Sequence, residues 1–494
     1  MSVVIGLDAG TTGVKAAAFG IGTTERRVAI REYPLLQPQP GWQVQDPEAI
    51  LAAATSALAE CVAAVGSDRV EGIALSTAMH GLIALDADRR PLTPLVTWAD
   101  ARARGEARAL RQAGEAAELH RLTGAPVHSM TPLTKLRWFA HHEPATWKAA
   151  RWWVGLKDLL LAHLTGELVT ELSSASATGL LDMATRAWSP LALAAAGVDA
   201  DRLPPIVPTT AVLELAAGPA QAIGLPAGTP VVTGGADGPL GNLGTGAIAP
   251  GVAGLSLGTS GAIRMAVAEP RVDDARTLFC YALTDEVWIV GGAVSNGGIV
   301  VRWAGEALAP DVDGDAAVLE LAAAVPAGSD GLVMLPYLLA ERAPLWDPDV
   351  PGAYLGLRRD HTRGHLVRAA VEGVCLQLRL VLDQLDRLAP VRAVHVTGGA
   401  FRAPLWREVM AATLDRPLHA VGDAEGTALG AAVLGLVGLG RAARLDEALE
   451  LLAPPAATAP LEPDRDLVAT YDRLRATIPG LIRSLEPVAE LAER

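Results

Sequence analysis

The sequence predicts an α/β protein of two related lobes with a cleft between them, and three observations predict it. The chain has 494 residues, more than one ordinary hydrophobic core accommodates, so two large domains are the natural division. A short motif recurs half a chain length apart: residues 6–13 read Gly-Leu-Asp-Ala-Gly-Thr-Thr-Gly and residues 254–261 read Gly-Leu-Ser-Leu-Gly-Thr-Ser-Gly. Strand-like and helix-like segments alternate through both halves, the pattern of sheets covered by helices.

Each copy of the motif follows an apolar run and leads into a second one, which reads as strand, tight turn, strand: a hairpin opening each half. A hairpin at the start of each half implies a duplicated domain. Residues 47–65 have the pattern of an amphipathic helix, and residues 70–75 and 82–85 that of strands. Residues 391–396 form a further apolar strand running into Thr397-Gly398-Gly399, and residues 425–432 open a helix of small residues. The expected domains are residues 1–247, residues 248–440, and a tail over 441–494. Within the tail, the Ala/Pro-rich stretch 454–463 reads as a linker and 466–492 as a terminal helical segment.

Composition narrows the functional class. Half of the residues are hydrophobic, with 50 glycines and few aromatics, which suits close packing of helices on sheets. A formal charge of −14 disfavours nucleic acid and anionic membrane as partners. The chain has four lysines, Lys15, Lys135, Lys148 and Lys157, so arginine carries nearly all other positive charge. Cys61, Cys280 and Cys375 lack metal-ligand spacing and read as reduced, buried thiols of a cytoplasmic protein. No leader pattern and no long continuous apolar stretch is apparent.

The first turn, from Asp8 to Lys15, has the ingredients of a phosphate nest. Gly10 and Gly13 allow a tight turn with outward N–H groups, and Thr11 and Thr12 add hydroxyl donors. Asp8, ending an apolar strand, is placed to hold Mg²⁺ beside a phosphate. The second copy supplies Gly258, Thr259 and Ser260, so two lobes grip one nucleotide between two loops. No lysine is followed by Ser or Thr, so the chain has no P-loop. A third segment, Val231-Val232-Thr233-Gly234-Gly235-Ala236-Asp237-Gly238, feeds an apolar strand into a carboxylate flanked by small residues. Asp237 there suits a general base that takes a proton from an attacking hydroxyl.

These segments resemble the FGGY carbohydrate kinases, most closely their gluconokinase branch. The resemblance rests on residues 130–139, Met-Thr-Pro-Leu-Thr-Lys-Leu-Arg-Trp-Phe, and on a second segment from Gly352 to Glu372. Ser76-Thr77-Ala78-Met79-His80-Gly81, Thr97-Trp98-Ala99-Asp100-Ala101-Arg102 and Glu341-Arg342-Ala343-Pro344 are similar too, in family order over roughly residues 3–440. It implies two actin-like (ribonuclease H-like) lobes with a nucleotide cleft between them. It also implies ATP and Mg²⁺ as cofactors and phosphorylation of a small polyhydroxy acid or sugar, D-gluconate first and a pentulose such as xylulose as the alternative. A homodimer is a possible assembly, and the sequence does not give the oligomeric state.

The resemblance assigns Asp237 as base and as Mg²⁺ partner with Asp8. Thr11, Thr12, Gly13, Lys15, Gly258, Thr259 and Ser260 would line the phosphates, and Gly398, Gly399 and the Gly426 region would take the adenosine. Met79, His80, Trp98, Arg102 and Lys157 would face the substrate. Residues 400–403, Ala-Phe-Arg-Ala, depart from the family's usual sequence before Pro404-Leu405-Trp406. Gly238 replaces the amide that pentulose and glycerol kinases of the family commonly carry after the base. A sugar acid needs a cation for its carboxylate, and His80, Arg102, Lys157 and Arg264 all remain open for it.

Two other readings come from different chemistry. Residues 254–258 fit a G-x-S-x-G nucleophile elbow, with Asp360 and His395 following in hydrolase order; against it, the repeat mate of Ser256 is Asp8. An actin-like ATPase with no small-molecule acceptor is the other, and the Met79-His80 and Trp98 segments argue for a small polar pocket instead.

Overall fold

The apolar run at the start of the chain turns at residues 10–13 into a second strand, as the motif predicts. The computed structural model describes residues 2–347, 349–422, 426–452, 459–485 and 487–488. The strands that build the two main sheets are β1 (Val3–Ala9), β2 (Gly13–Gly20), β3 (Arg26–Glu32), β4 (Val70–Thr77), β5 (Val212–Glu214) and β6 (Pro230–Ala236) in the first lobe. The second lobe has β7 (Val252–Leu257), β8 (Gly261–Val267), β9 (Phe279–Ala282), β10 (Trp288–Val294), β11 (Ala393–Thr397) and β12 (Leu418–Ala420).

The first sheet runs β5-β6-β4-β1-β2-β3 and the second β9-β10-β8-β7-β11-β12. In the first, β1, β2 and β3 are antiparallel neighbours and β4 and β6 continue from β1 in parallel. In the second, β7, β8 and β10 are antiparallel and β11 and β12 continue from β7 in parallel. The two sheets therefore repeat one connectivity, with the recurring motif at the same place in each. Duplication of a ribonuclease H-like lobe accounts for the repeat better than chance recurrence of glycines.

Helices cover both sheets: α1 (Pro47–Val65), α2 (Pro132–His142), α3 (Leu156–Thr165), α4 (Asp237–Gly244), α5 (Gly298–Leu308), α6 (Arg363–Leu388), α7 (Pro404–Leu414), α8 (Gly426–Gly438) and α9 (Arg465–Ser484). Helix α1 begins at Asp46, whose side chain accepts from Glu48 N at 3.0 Å, with Pro47 in the first turn. Among the described helices α1 alone has the length and apolar composition to cross a bilayer. Here its Ile50, Ala54, Leu58, Cys61 and Val62 are buried in the core that α1 shares with the first sheet.

In the second lobe, α6 is buried along most of its length. Its Glu372 accepts from Arg368 Nε at 2.9 Å and from Tyr471 Oη at 3.0 Å, which ties α9 across the lobe. The terminal helical segment read over 466–492 is a helix over Arg465–Ser484. Residues 454–458 of the stretch read as a linker and Glu425 lie outside the described residues, as do residues 453, 486 and 489–494 of the tail.

Helix α8 lies within the sequence range expected for the second lobe, yet it packs on the first sheet. Val433, Leu434 and Leu436 are buried with Val4, Phe19, Ala74 and Val232, each such side chain contributing about 1.5–3 kcal/mol on burial. The helix crosses α4 backbone to backbone. A Cβ on Gly430 would stand 2.2 Å from Leu240 O, and one on Gly244 would stand 1.8 Å from Gly426 O. Only glycine permits this approach, so Gly430→Ala should destabilise the protein by roughly 2–4 kcal/mol. Urea or thermal unfolding checks it, and an unchanged midpoint would show that the crossing relaxes freely.

Candidate active site

Three side chains pin the first turn. Tyr33 Oη donates to Gly10 O at 2.6 Å, Gln45 Nε2 to Thr11 O at 2.6 Å, and Trp98 Nε1 to Thr11 Oγ1 at 3.0 Å. Thr12 stays exposed at the tip. A Cβ on Gly13 would meet Arg31 O at 2.7 Å, so the turn lies directly on β3. Asp8 pairs in register with Lys15 across β1 and β2. Its carboxylate accepts from Ser76 Oγ at 2.7 Å and from Thr427 Oγ1 at 2.5 Å. Asp8 therefore joins β1, β4 and the first turn of α8 at one point.

The second turn is Gly258-Thr259-Ser260, closed by Gly258 N donating to Ser260 O at 2.9 Å. Helix α5 starts against it, with Gly298 N donating to Gly258 O at 2.8 Å. Nearby, β11 ends at Gly398, whose φ of +110° and close approach to Leu257 O (2.2 Å from a would-be Cβ) both require glycine.

Asp237 is the first residue of α4, at the end of β6. Gly234 makes this placement feasible: its φ is +72°, and a Cβ there would stand 1.8 Å from Leu75 O. Asp237 Oδ1 accepts from Gly238 N at 2.9 Å and from Met79 N at 3.3 Å. Burial, reinforced by the charge of Asp8, pushes the carboxyl up to about 6, while Arg264 and the two N–H groups pull against that rise.

Three cavities line up along these groups. The largest, about 840 Å³, lies in the second lobe against Gly258, Thr259, Gly399, Ala400, Arg402 and Trp406. The next, about 330 Å³, is walled by Lys15, Asp237, Asn242, Thr397, Gly426 and Thr427. The third, about 270 Å³, is walled by Thr11, Met79, His80, Trp98, Arg264 and Arg342, again with Asp237. Asp237 is common to the second and third, and the turn at 258–261 contributes to the first and third. The two motif turns thus share one crevice. Gly426 stands beside Asp237 rather than in the large cavity with Gly399.

Not every expected substrate residue reaches the third cavity. Arg102 is turned away: its guanidinium forms a two-bond pair with Asp100 at 2.8 and 2.9 Å and lies 3.6 Å from the Trp42 ring. It braces the loop that carries Trp98, which corrects its assignment to substrate. Lys157 is likewise corrected. It is buried, and its ammonium donates to Leu75 O, Thr233 O and Gly235 O at 2.7, 3.0 and 2.8 Å, which uses all three of its protons. His80 lines the cavity in a left-handed conformation (φ +67°). Burial, with Lys135 nearby, pulls its pKa down to about 3, so it is a neutral imidazole, with Nδ1–H donating to Ala177 O at 2.8 Å.

Sequence reasoning did not place Arg342, Tyr281 or Thr427 in the site. Arg342 donates from Nε to Ser295 Oγ at 3.2 Å and from Nη2 to Val294 O at 2.9 Å, and sits 4.9 Å from the Trp98 ring. Its position in the motif Glu341-Arg342-Ala343-Pro344 was the available signal. The hydrolase triad is not assembled: His395 Nδ1 bonds Thr245 O at 2.8 Å, and Asp360 is exposed.

Duplicated lobes that share a cleft, with a small polar cavity opening on a buried carboxylate, define a phosphotransferase of the actin-like class. Comparison with known proteins specifies it further. The model of the FGGY family of carbohydrate kinases matches through its N-terminal domain over residues 3–244 and its C-terminal domain over residues 253–439. Gluconokinase of Bacillus subtilis (strain 168) is 36% identical over 499 residues, covering 98% of this chain and 96% of that relative. Crystal structures of gluconate kinase and of ligand-bound xylulose kinase from Lactobacillus acidophilus both superpose with a TM-score of 0.93. They are 30% and 31% identical, and each match covers 98% of both chains. The chain belongs to the FGGY family of carbohydrate kinases and is an ATP-dependent sugar kinase.

Removing the Lys157 ammonium leaves three buried carbonyls without a donor. Lys157→Met should lower stability by about 3–5 kcal/mol, with KM for substrate nearly unchanged in the folded fraction. Unfolding and steady-state kinetics separate the two effects; a large KM change with intact stability would return Lys157 to the substrate.

Proposed function

We propose that the protein phosphorylates D-gluconate at its 6-hydroxyl, forming 6-phosphogluconate and ADP. The observation that carries this is the charge of the third cavity. The wall that holds Asp237 also holds two arginines, Arg264 and Arg342, which complement an acid better than a neutral sugar. The gluconokinase relative, matched over nearly its whole length, supports the same substrate.

Adenosine is assigned to the large cavity at Gly398 and Gly399, with the phosphates running past Gly258, Thr259 and Ser260 toward Thr11, Thr12, Gly13, Lys15 and Gly426. The substrate is assigned to the cavity of Met79, His80 and Trp98. Asp8 and Asp237 fit a Mg²⁺ ion. Their charges are close enough for Asp8 to raise the Asp237 pKa, and Mg²⁺ commonly needs only one or two carboxylates beside phosphate oxygens and water. Bound there, the ion would offset phosphate charge.

The protein's own groups then account for proton transfer. Asp237 Oδ1 is held by two N–H donors, leaving Oδ2 to accept the hydroxyl proton as the oxygen attacks the γ-phosphorus. A pKa of about 6 keeps the carboxylate ionised at neutral pH while leaving it more basic than an ordinary Asp. Neutral His80 can accept from a hydroxyl at Nε2 without adding charge, and the Trp98 ring, its N–H bonded to Thr11, forms an apolar wall. Closure of the lobes over the cleft would exclude water from the phosphoryl group.

Asp237→Asn should cut kcat by about 10²–10⁴-fold. As pH rises from the ordinary Asp range to about 6, the folded state keeps a proton that the unfolded chain has lost, so this carboxylate costs stability above that window. The neutral variant should therefore melt no lower than wild type at pH 7. Wild-type kcat/KM should fall with unit slope below about pH 6. A folded variant with near-normal kcat would remove Asp237 from this role.

Coupled assays of ADP release on D-gluconate and D-xylulose decide the substrate. A larger kcat/KM for gluconate is expected. A larger value for xylulose would favour the reading that the xylulose kinase structure supports.

A further inference from the structure

Of the four cations open to a substrate carboxylate at the level of sequence, the fold leaves one. His80 is neutral, Arg102 is paired with Asp100, and the Lys157 protons go to three carbonyls. Arg264 remains. It projects from β8, where its neighbours across the sheet are Gly254 and Gly291. A Cβ on Gly291 would stand 2.9 Å from Arg264 Cα and Cγ, so the arginine stem occupies space that only glycine leaves open.

At its far end, Arg264 Nε and Nη2 both lie 3.7 Å from where a Cβ of residue 238 would stand. The same Cβ would stand 2.7 Å from Met79 Cε. Met79 Cε thus covers Gly238, and Arg264 stands beside both. The buried Arg264 Nε has no hydrogen-bond partner among the described residues, and an unbonded buried donor is costly. Arg342, in the same cavity, differs: its guanidinium is anchored to Ser295 and Val294 and lies over Trp98.

We propose that Arg264 is the specificity-determining residue of this kinase, holding the carboxylate of the acid substrate in the cavity that it lines with Asp237, Met79 and Gly238. The proposal rests on the gluconate reading above. Arg264 lines this cavity with its Nε buried behind it, and the outer edge of a planar guanidinium suits two parallel bonds to a carboxylate. Arg342 is a fixed wall charge that adds to the positive potential. A side chain at 238 would press on Met79 and crowd Arg264, which links the absence of an amide after Asp237 to the choice of an acid.

The test compares wild type with Arg264→Met, Arg264→Lys and Gly238→Asn on D-gluconate, at about pH 8.5 so that Asp237 stays ionised in every variant. Arg264→Met should raise KM for gluconate roughly 30- to 100-fold while kcat changes less than about 5-fold. Arg264→Lys should recover a substantial part of the loss, and Gly238→Asn should raise KM although Arg264 is intact. The melting temperature of Arg264→Met without substrate should change little, because the loss of a buried unbonded Nε offsets the loss of a cation that eases ionisation of Asp237. If wild type uses gluconate and Arg264→Met leaves KM unchanged, or loses only kcat, the subsite is overturned and the gluconate reading stands. If wild type phosphorylates xylulose and shows no turnover of gluconate, both fall together.

Discussion

The site depends on the contact between α4 and α8, where two helix backbones touch because glycine occupies the crossing. Asp237 opens α4 and Thr427 stands in the first turn of α8. With Gly244 and Gly430 at the contact, the end of α4 meets the start of α8 and the middles of the two helices cross. Thr427 then reaches the Asp8 carboxylate, which ends the first strand of the chain. Three segments separated by hundreds of residues meet at one carboxylate pair. Any side chain at the crossing would move Asp237 relative to Asp8, and phosphoryl transfer is sensitive to shifts of an ångström.

Buried charge is distributed unevenly around that point, and the unevenness separates support from recognition. Lys135 and Lys157 are both buried, and each donates to three backbone carbonyls. Lys135 fixes His80 and Thr97, and so the loops that present His80 and Trp98. Lys157 fixes the ends of β4 and β6, and so the strand that presents Asp237. Arg102 does similar work through Asp100. Burial lowers the pKa of both lysines, to about 7 and about 8, but their carbonyl partners leave no proton for a ligand. Arg264 has no such partner for its Nε. A buried cation held open in this way is a poor contribution to stability, and it is intelligible as part of a binding surface.

Much of this was legible along the chain. The repeated turn at 6–13 and 254–261 was visible because a hairpin needs glycine at particular steps, and that local demand survives duplication. The topology bears it out: each copy opens a sheet of the same connectivity. The strand into Asp237 was legible for a related reason, since an apolar run ending in two glycines and a carboxylate has few local explanations. Lys157 and Arg102 were misassigned to substrate because a sequence shows charge near a motif but not where the side chain spends its hydrogen bonds. Arg342 was overlooked as a site residue because its arrival beside Trp98 is a long-range contact between lobes.

Local chemistry therefore fixed the class of protein: the turns, the strand pattern and the aspartate after Gly-Gly are properties of neighbouring residues and can be read in order. Tertiary structure decided which charges face the cleft. A guanidinium or ammonium is neutralised, or left available, by groups far away in the chain, and desolvation sets the state of Asp237 and His80 only once the lobes have closed around them. The sequence alone determined that each lobe would open on a matching glycine turn; only the folded chain determined that both turns reach one crevice with Asp237 and Arg264 in its wall.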